Sequence, residues 1–167
     1  GATSETLPKI LADRSGQFDL ILVSRPHNMR AFLDAVGKRP DVVRGARIVY
    51  DAEALFARRE ILRRERLGDP LTPEAAHQMI EDEVHLTRRA DIVLCVSEAE
   101  YQEFHTRGLS DVRQLGFTIA PTPGPMGLEQ RRGLLFVGAV DRDESPNVDS
   151  LLWFIREVLP ILRASLA

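Results

Sequence analysis

Residues 91–100 read DIVLCVSEAE, from Asp91 to Glu100, and the fold is decided there. Ile92 to Val96 is an unbroken apolar run rich in β-branched side chains. Such a run, without polar alternation, suits a parallel strand covered by helices on both sides. Ser97 followed three residues later by Glu100 is a capping box, so a helix to about Thr106 starts where the strand stops, and Gly108 is placed to end it.

The same grammar repeats on either side. Phe18–Ser24 (FDLILVS), Arg47–Tyr50 (RIVY), Asp111–Gly116 (DVRQLG) and Leu134–Val140 (LLFVGAV) read as further strands. Between them, His27–Gly37 carries Met29, Phe32, Leu33 and Val36 at helical spacing. Ala52–Leu67 is an Arg-rich helix with Leu55, Ile61 and Leu62 on its apolar side. Thr72-Pro73-Glu74 opens a helix to about Arg89 with an N-cap, a first-turn proline and an acid. Ser145-Pro146 opens the last helix, in which Pro160 predicts a kink or a break. Alternating strands and helices give an α/β fold, a Rossmann-like three-layer parallel sheet with right-handed crossovers. The proline- and glycine-rich stretch Ala120–Gly127 interrupts that order and reads as a linker. The division is therefore residues 1–119, a linker over 120–132, and a restarted strand and helix over 133–167.

Composition bounds the function. The 167 residues are 44% hydrophobic and 28% charged, which excludes disorder and coiled coil as readings of the whole chain. Lys and Arg total 22 against 25 Asp and Glu, a net charge of −3, so no whole-chain field favours nucleic acid. The one cysteine, Cys95, rules out an internal disulfide framework and a multi-Cys zinc site. No apolar run approaches the ~18–20 residues of a membrane-spanning helix, and no secretory leader pattern is present. A cytoplasmic location is expected. The chain starts at Gly1 without methionine and stops just after an apolar helical segment, so an excerpt of a longer protein is expected too.

Gly133-Leu-Leu-Phe-Val-Gly138, then Ser145-Pro-Asn-Val-Asp149, Leu152-Trp-Phe154 and Glu157–Pro160, form a distinctive opening. Before the linker come Tyr50-Asp51 at a strand end, the basic pair Arg58-Arg59, and Arg89-Ala90-Asp91 leading into Val96-Ser97-Glu98. In this order the chain resembles group 1 (family 4-like) sugar-nucleotide-dependent glycosyltransferases of the two-lobed B-type fold. The resemblance covers roughly residues 18 to 160. It implies the second half of an acceptor-side lobe, the interlobe linker, and the first strand and helix of a donor-side lobe. The family's glycine-rich N-terminal loop and its E-x7-E donor signature are missing from this sequence. The implied activity is transfer of a sugar from a nucleotide-diphosphate donor to a hydroxyl on a glycan or lipid-linked acceptor. No metal and no separate cofactor are implied, the nucleotide sugar being a substrate. The competing class is a non-catalytic α/β module that binds a ligand or partner.

In a parallel sheet, ligands bind beyond the carboxyl ends of the strands. That rule selects His27, Asp51 and Glu53, with Arg59 nearby, as acceptor-side candidates. Asp51 orients an acceptor hydroxyl, holds a basic partner from the Arg58-Arg59 segment, or caps the following helix. His27 either bonds a sugar or phosphate oxygen or is an ordinary exposed loop residue. Gly138, Arg142 and Asn147 are the donor-phosphate candidates: Gly138 permits close backbone approach and Arg142 supplies charge-assisted hydrogen bonds. The alternative there is a plain turn, with Arg142 paired to Asp141, Asp143 or Glu144.

The run Arg58, Arg59, Arg63, Arg64, Arg66 is interleaved with Glu60 and Glu65. It reads as a salt-bridged helix face, or as a surface for an anionic lipid-linked acceptor and peripheral membrane contact. His77, Glu81 and His85 share one helix face and read as polar surface ahead of a metal pair. Cys95 reads as a buried, inert thiol. Strands left uncovered would make the chain self-associate.

Overall fold

The computed structural model describes residues 6–116, 119–125, 127–140, 143 and 145–166. Two compact units divide at Ile119/Ala120. In the first, α1 (Leu7–Asp13) precedes β1 (Leu20–Ser24), α2 (Pro26–Lys38), a 3-10 turn (Pro40–Val43) and β2 (Arg47–Asp51). Next come α3 (Phe56–Arg66), α4 (Pro73–Thr87), β3 (Ile92–Cys95), α5 (Glu98–Thr106) and β4 (Val112–Gln114). The unit is an α/β fold with one Rossmann-like sheet of four parallel strands in the order β1-β2-β3-β4.

Val23, Tyr50, Val93 and Val112 lie side by side across the register and point to one face. Against them pack Leu11 of α1, Met29 and Phe32 of α2, Val84 of α4 and Phe104 of α5, which together make the core. Strands added in one direction by right-handed crossovers keep their crossover helices on one side, which accounts for this concentration. Leu20 and Leu22, of the opposite parity on edge strand β1, remain 55% exposed.

The caps behave as their chemistry requires. The Thr72 hydroxyl accepts the Ala75 amide at 3.2 Å, and Ser97 accepts the Glu100 amide at 3.3 Å. Glu100 does not complete its capping box, because its carboxylate is drawn to the neighbouring loop described below. Helix α3 begins at Phe56, later than the expected Ala52, because residues 52–55 form a tight loop with Glu53 at φ 51°. Helix α1 is not foreseen by the sequence reading; Leu7, Ile10 and Leu11 are a short apolar signal within one seven-residue helix.

The second unit holds a 3-10 turn (Leu128–Gln130), α6 (Pro146–Trp153), a π-helical turn (Phe154–Val158) and α7 (Leu159–Leu166). The strand expected over Leu134–Val140 is absent: these residues join no sheet, and Leu135 is 88% exposed. A strand needs a neighbour for its ladder of hydrogen bonds, and no described segment of this unit supplies one. Pro160 neither breaks nor ends the helix. It lacks the N–H that would reach Arg156 and its ring crowds that carbonyl. The preceding turn widens, so that the Leu159 amide bonds the Phe154 carbonyl five residues back. No helix of the described residues is long and apolar enough to cross a membrane.

Candidate functional site at the strand ends

The carboxyl ends of β1 and β2 carry the polar residues that the sheet rule selects. The ladder runs one step past β1, where the Arg25 amide donates to the Asp51 carbonyl at 3.0 Å. Arg25 then turns into α2 at φ 75°, ψ 147°, near a region that is almost glycine-only. Glu53, across the gap, is the other non-glycine residue with positive φ among the described residues. Each such residue costs on the order of 1–3 kcal/mol, and they tend to cluster at functional sites.

Side chains join the two turns. Arg25 Nε donates to Glu53 Oε2 at 2.8 Å, and Ser24 Oγ donates to Asp51 Oδ2 at 3.2 Å. Asp51 Oδ1 accepts the Glu53 amide at 3.2 Å, while Asn28 Nδ2 donates to the Ser24 carbonyl at 2.8 Å. Asp51 therefore stitches β1 to its own loop. It does not cap α3, and the basic partner in this cluster is Arg25 on Glu53 in place of Arg58 or Arg59.

Two buried-side carboxylates hold the far end of the 52–55 loop. Glu100 accepts from the Leu55 amide at 2.8 Å and the Val96 amide at 3.2 Å. Glu83 of α4, only 6% exposed, accepts from the Phe56 and Ala57 amides at 3.1 and 2.6 Å. It thereby caps α3, whose own N-cap residue, Leu55, has no acceptor. Burial raises the Glu83 pKa, and the two amide bonds oppose the rise. The Tyr50 hydroxyl beneath the loop is buried without a partner among the described residues; burial first, and the Glu83 charge second, push its pKa up.

The remaining candidates are placed as follows. His27 is exposed on the first turn of α2. Arg59 stacks over the Phe56 ring with its guanidinium carbon 5.5 Å from the centroid, and no described bond takes it to Asp51 or Glu53. Arg58 pairs with Glu103 of α5. Arg63 and Arg64 both bond Glu60, holding its carboxyl at about 2, and Arg64 also faces Asp69 at 3.5 Å. The Arg-rich helix face is thus largely salt-bridged. His77 lies 3.9 Å from Glu81, which binds Arg107 at 2.7 Å.

In the second unit, a Cβ on Gly138 would lie 2.9 Å from the Phe136 ring and 3.1 Å from Asn147 Nδ2. The space that glycine frees is filled by the chain itself. Asn147 Nδ2 donates to the Ala139 carbonyl at 3.1 Å, tying the segment before the helix to its first turn. Arg142 lies outside the described residues, as do Asp141 and Glu144.

Arg25, Glu83 and Glu100 are the residues that sequence reasoning missed in these roles. Arg25 had one signal, its place between a strand end and Pro26. Glu83 had none, since its partners are backbone amides 26 and 27 residues away, and the capping-box spacing of Glu100 gave no sign of its bond to the Leu55 amide, 45 residues away. Searches of family models, curated proteins and solved structures return no match to this chain.

Proposed function

We propose that the chain is part of a glycosyltransferase that moves a sugar from a nucleotide-diphosphate donor to a hydroxyl of a glycan or lipid-linked acceptor. In this reading residues 1–119 belong to the acceptor-side lobe, 120–132 to the linker, and 133–167 open the donor-side lobe. The sequence resemblance motivates it, and one observation carries it to particular residues: the strained Arg25–Glu53 pair at the strand ends. With Nε engaged, the guanidinium still has both terminal nitrogens to donate, and Glu53 Oε1 remains to accept. A donor fork beside a carboxylate matches the vicinal hydroxyls of a sugar.

In the transfer, the bond from the anomeric carbon to the diphosphate breaks and one to the acceptor oxygen forms. The acceptor's proton passes to solvent, and the nucleoside diphosphate leaves with the electron pair of the broken bond. Glu53 and His27 would face the acceptor hydroxyl, and Asp51 would hold the loop that presents Glu53. On the donor side, Arg142 would offset the diphosphate's charge, with Gly138 and Asn147 as the other donor-side candidates.

Both Asp51 oxygens are engaged within the chain, which favours binding over proton transfer at that residue. This supports the second reading, a non-catalytic α/β module that binds polyhydroxyl ligands. Titration calorimetry of UDP, GDP and TDP against this chain, and against a form extended past Ala167, separates the two. Nucleotide binding confined to the extended form supports the enzyme. Absence of binding to a well-folded extended form leaves the binding module.

A further inference from the structure

At the other end of the sheet, α2, the 3-10 turn and α4 enclose an open groove of about 820 Å³. Three residue steps along β2, roughly 10 Å, separate Ile48 in its lining from Asp51, so it is a different place from the strand-end site. Its volume falls within the ~300–1,000 Å³ of small-molecule sites. Its apolar lining comes from Phe32, Leu33 and Val36 of α2 together with Val43, Ile48 and Leu86. Most of these side chains pack on the core by one edge only, leaving the other edge to the groove.

One lip is cationic. Arg88 and Arg89 stand there beside His85, and among the described residues no acidic side chain lines the groove. Arg88 Nη2 donates to the Arg107 carbonyl at 2.8 Å, and neither arginine has an acidic partner among the described residues. The carboxyl end of α4 favours a nearby positive charge but does not require two arginines without an acidic partner. On the floor, Gly37 sits in a helix with ordinary φ, and a Cβ there would meet nothing within 4 Å. Alanine is the better helix former, so this glycine leaves space that the fold does not need.

We propose that the groove binds a single-chain amphiphile with an anionic head, such as an alkyl phosphate or fatty carboxylate, taken up as a monomer. The alkyl chain lies along the apolar lining and the head meets Arg88 and Arg89. Charge complementarity selects this occupant: a neutral chain would leave the lip unpaired, and an apolar peptide face would bring no counter-charge.

Titration calorimetry with monomeric octyl and dodecyl phosphate tests it. Affinity should rise about fourfold per added methylene. Gly37→Leu, which fills the groove, should weaken dodecyl phosphate at least roughly tenfold, while Gly37→Ala binds like the parent. Arg89→Gln should weaken dodecyl phosphate by about tenfold and leave dodecyl maltoside unaffected. Melting curves check that each variant folds; should Gly37→Leu fail to fold, the chain-length series and Arg89→Gln decide alone. Equal affinity for octyl and dodecyl phosphate, or undiminished binding to folded Gly37→Leu, overturns the assignment. So does binding to phosphatidylglycerol vesicles with none to the monomers, which would make the lip a membrane contact.

Discussion

Replacing Glu83 by alanine should unfasten the start of α3. The carboxylate is 6% exposed and accepts the first two amides of that helix, at Phe56 and Ala57. A buried donor left without an acceptor costs about 1–3 kcal/mol, so two stranded donors cost about 2–6 kcal/mol. Part of this is offset, because the burial that raises the Glu83 pKa is itself a penalty on the charge. A net loss of about 2–3 kcal/mol at neutral pH is expected. Glu83→Gln keeps one carbonyl acceptor and turns its NH₂ toward the other amide, so roughly half that loss is expected. The sign of the pH dependence follows from the raised pKa. A carboxyl that binds its proton more tightly when folded contributes stability in full below its ordinary 4.5, and that contribution is lost as pH climbs through the raised value. The gap between the parent and Glu83→Gln should therefore narrow from pH 4 toward neutrality. Urea unfolding followed by far-UV circular dichroism measures the loss, and amide exchange at Phe56 and Ala57 localises it. If Glu83→Ala costs less than about 0.5 kcal/mol and both amides keep their protection, the capping account is refuted.

Three further outcomes are expected. Glu53→Gly should be more stable than Glu53→Ala by about 1–2 kcal/mol, since both remove the same ion pair and only alanine keeps a Cβ at φ 51°; the matching contrast at Arg25 should have the same sign in the same urea titrations. Pro160→Ala should restore the amide bond to the Arg156 carbonyl and turn the π-helical turn into regular α-helix, visible as a new i→i−4 connectivity by NMR. Cys95, 1% exposed and with its pKa raised by burial, should resist thiol reagents in the folded protein and react at the rate of unfolding of the first unit.

The parallel sheet was legible because its signal is local. DIVLCVSEAE carries a strand, a cap and a helix start within ten residues, and Thr72-Pro73 and Ser145-Pro146 carry theirs within two. Where reading failed, the deciding partner was distant or missing. LLFVGAV has the composition of a buried strand, but composition cannot supply a neighbour, and the segment has none among the described residues. Glu100 has the spacing of a capping box, yet a loop 45 residues away offered its carboxylate an amide at 2.8 Å. Asp51 and Glu53 were legible as strand-end acids; that Arg25 would pair with one of them was not, because register alone brings Ser24 beside Asp51.

The strain at Arg25 and Glu53 also bears on function through its magnitude. Two left-handed non-glycine residues cost together about 2–6 kcal/mol. Their ion pair is half-exposed on both sides, and such pairs contribute about 0–1 kcal/mol. The pair therefore cannot be what holds the two turns in place. The holding must come from the frame: the Arg25 amide on the Asp51 carbonyl, the two Asp51 oxygens, and the loop end fixed by Glu100 and Glu83. A frame that over-determines two costly conformations presents Arg25 and Glu53 in one arrangement before any ligand arrives, which lowers the ordering cost of binding. Glu83 is thus coupled to the strand-end site without touching it. A variant that frees the start of α3 should weaken a ligand held by Arg25 and Glu53, even though the groove beyond Ile48 keeps its own ligand unchanged.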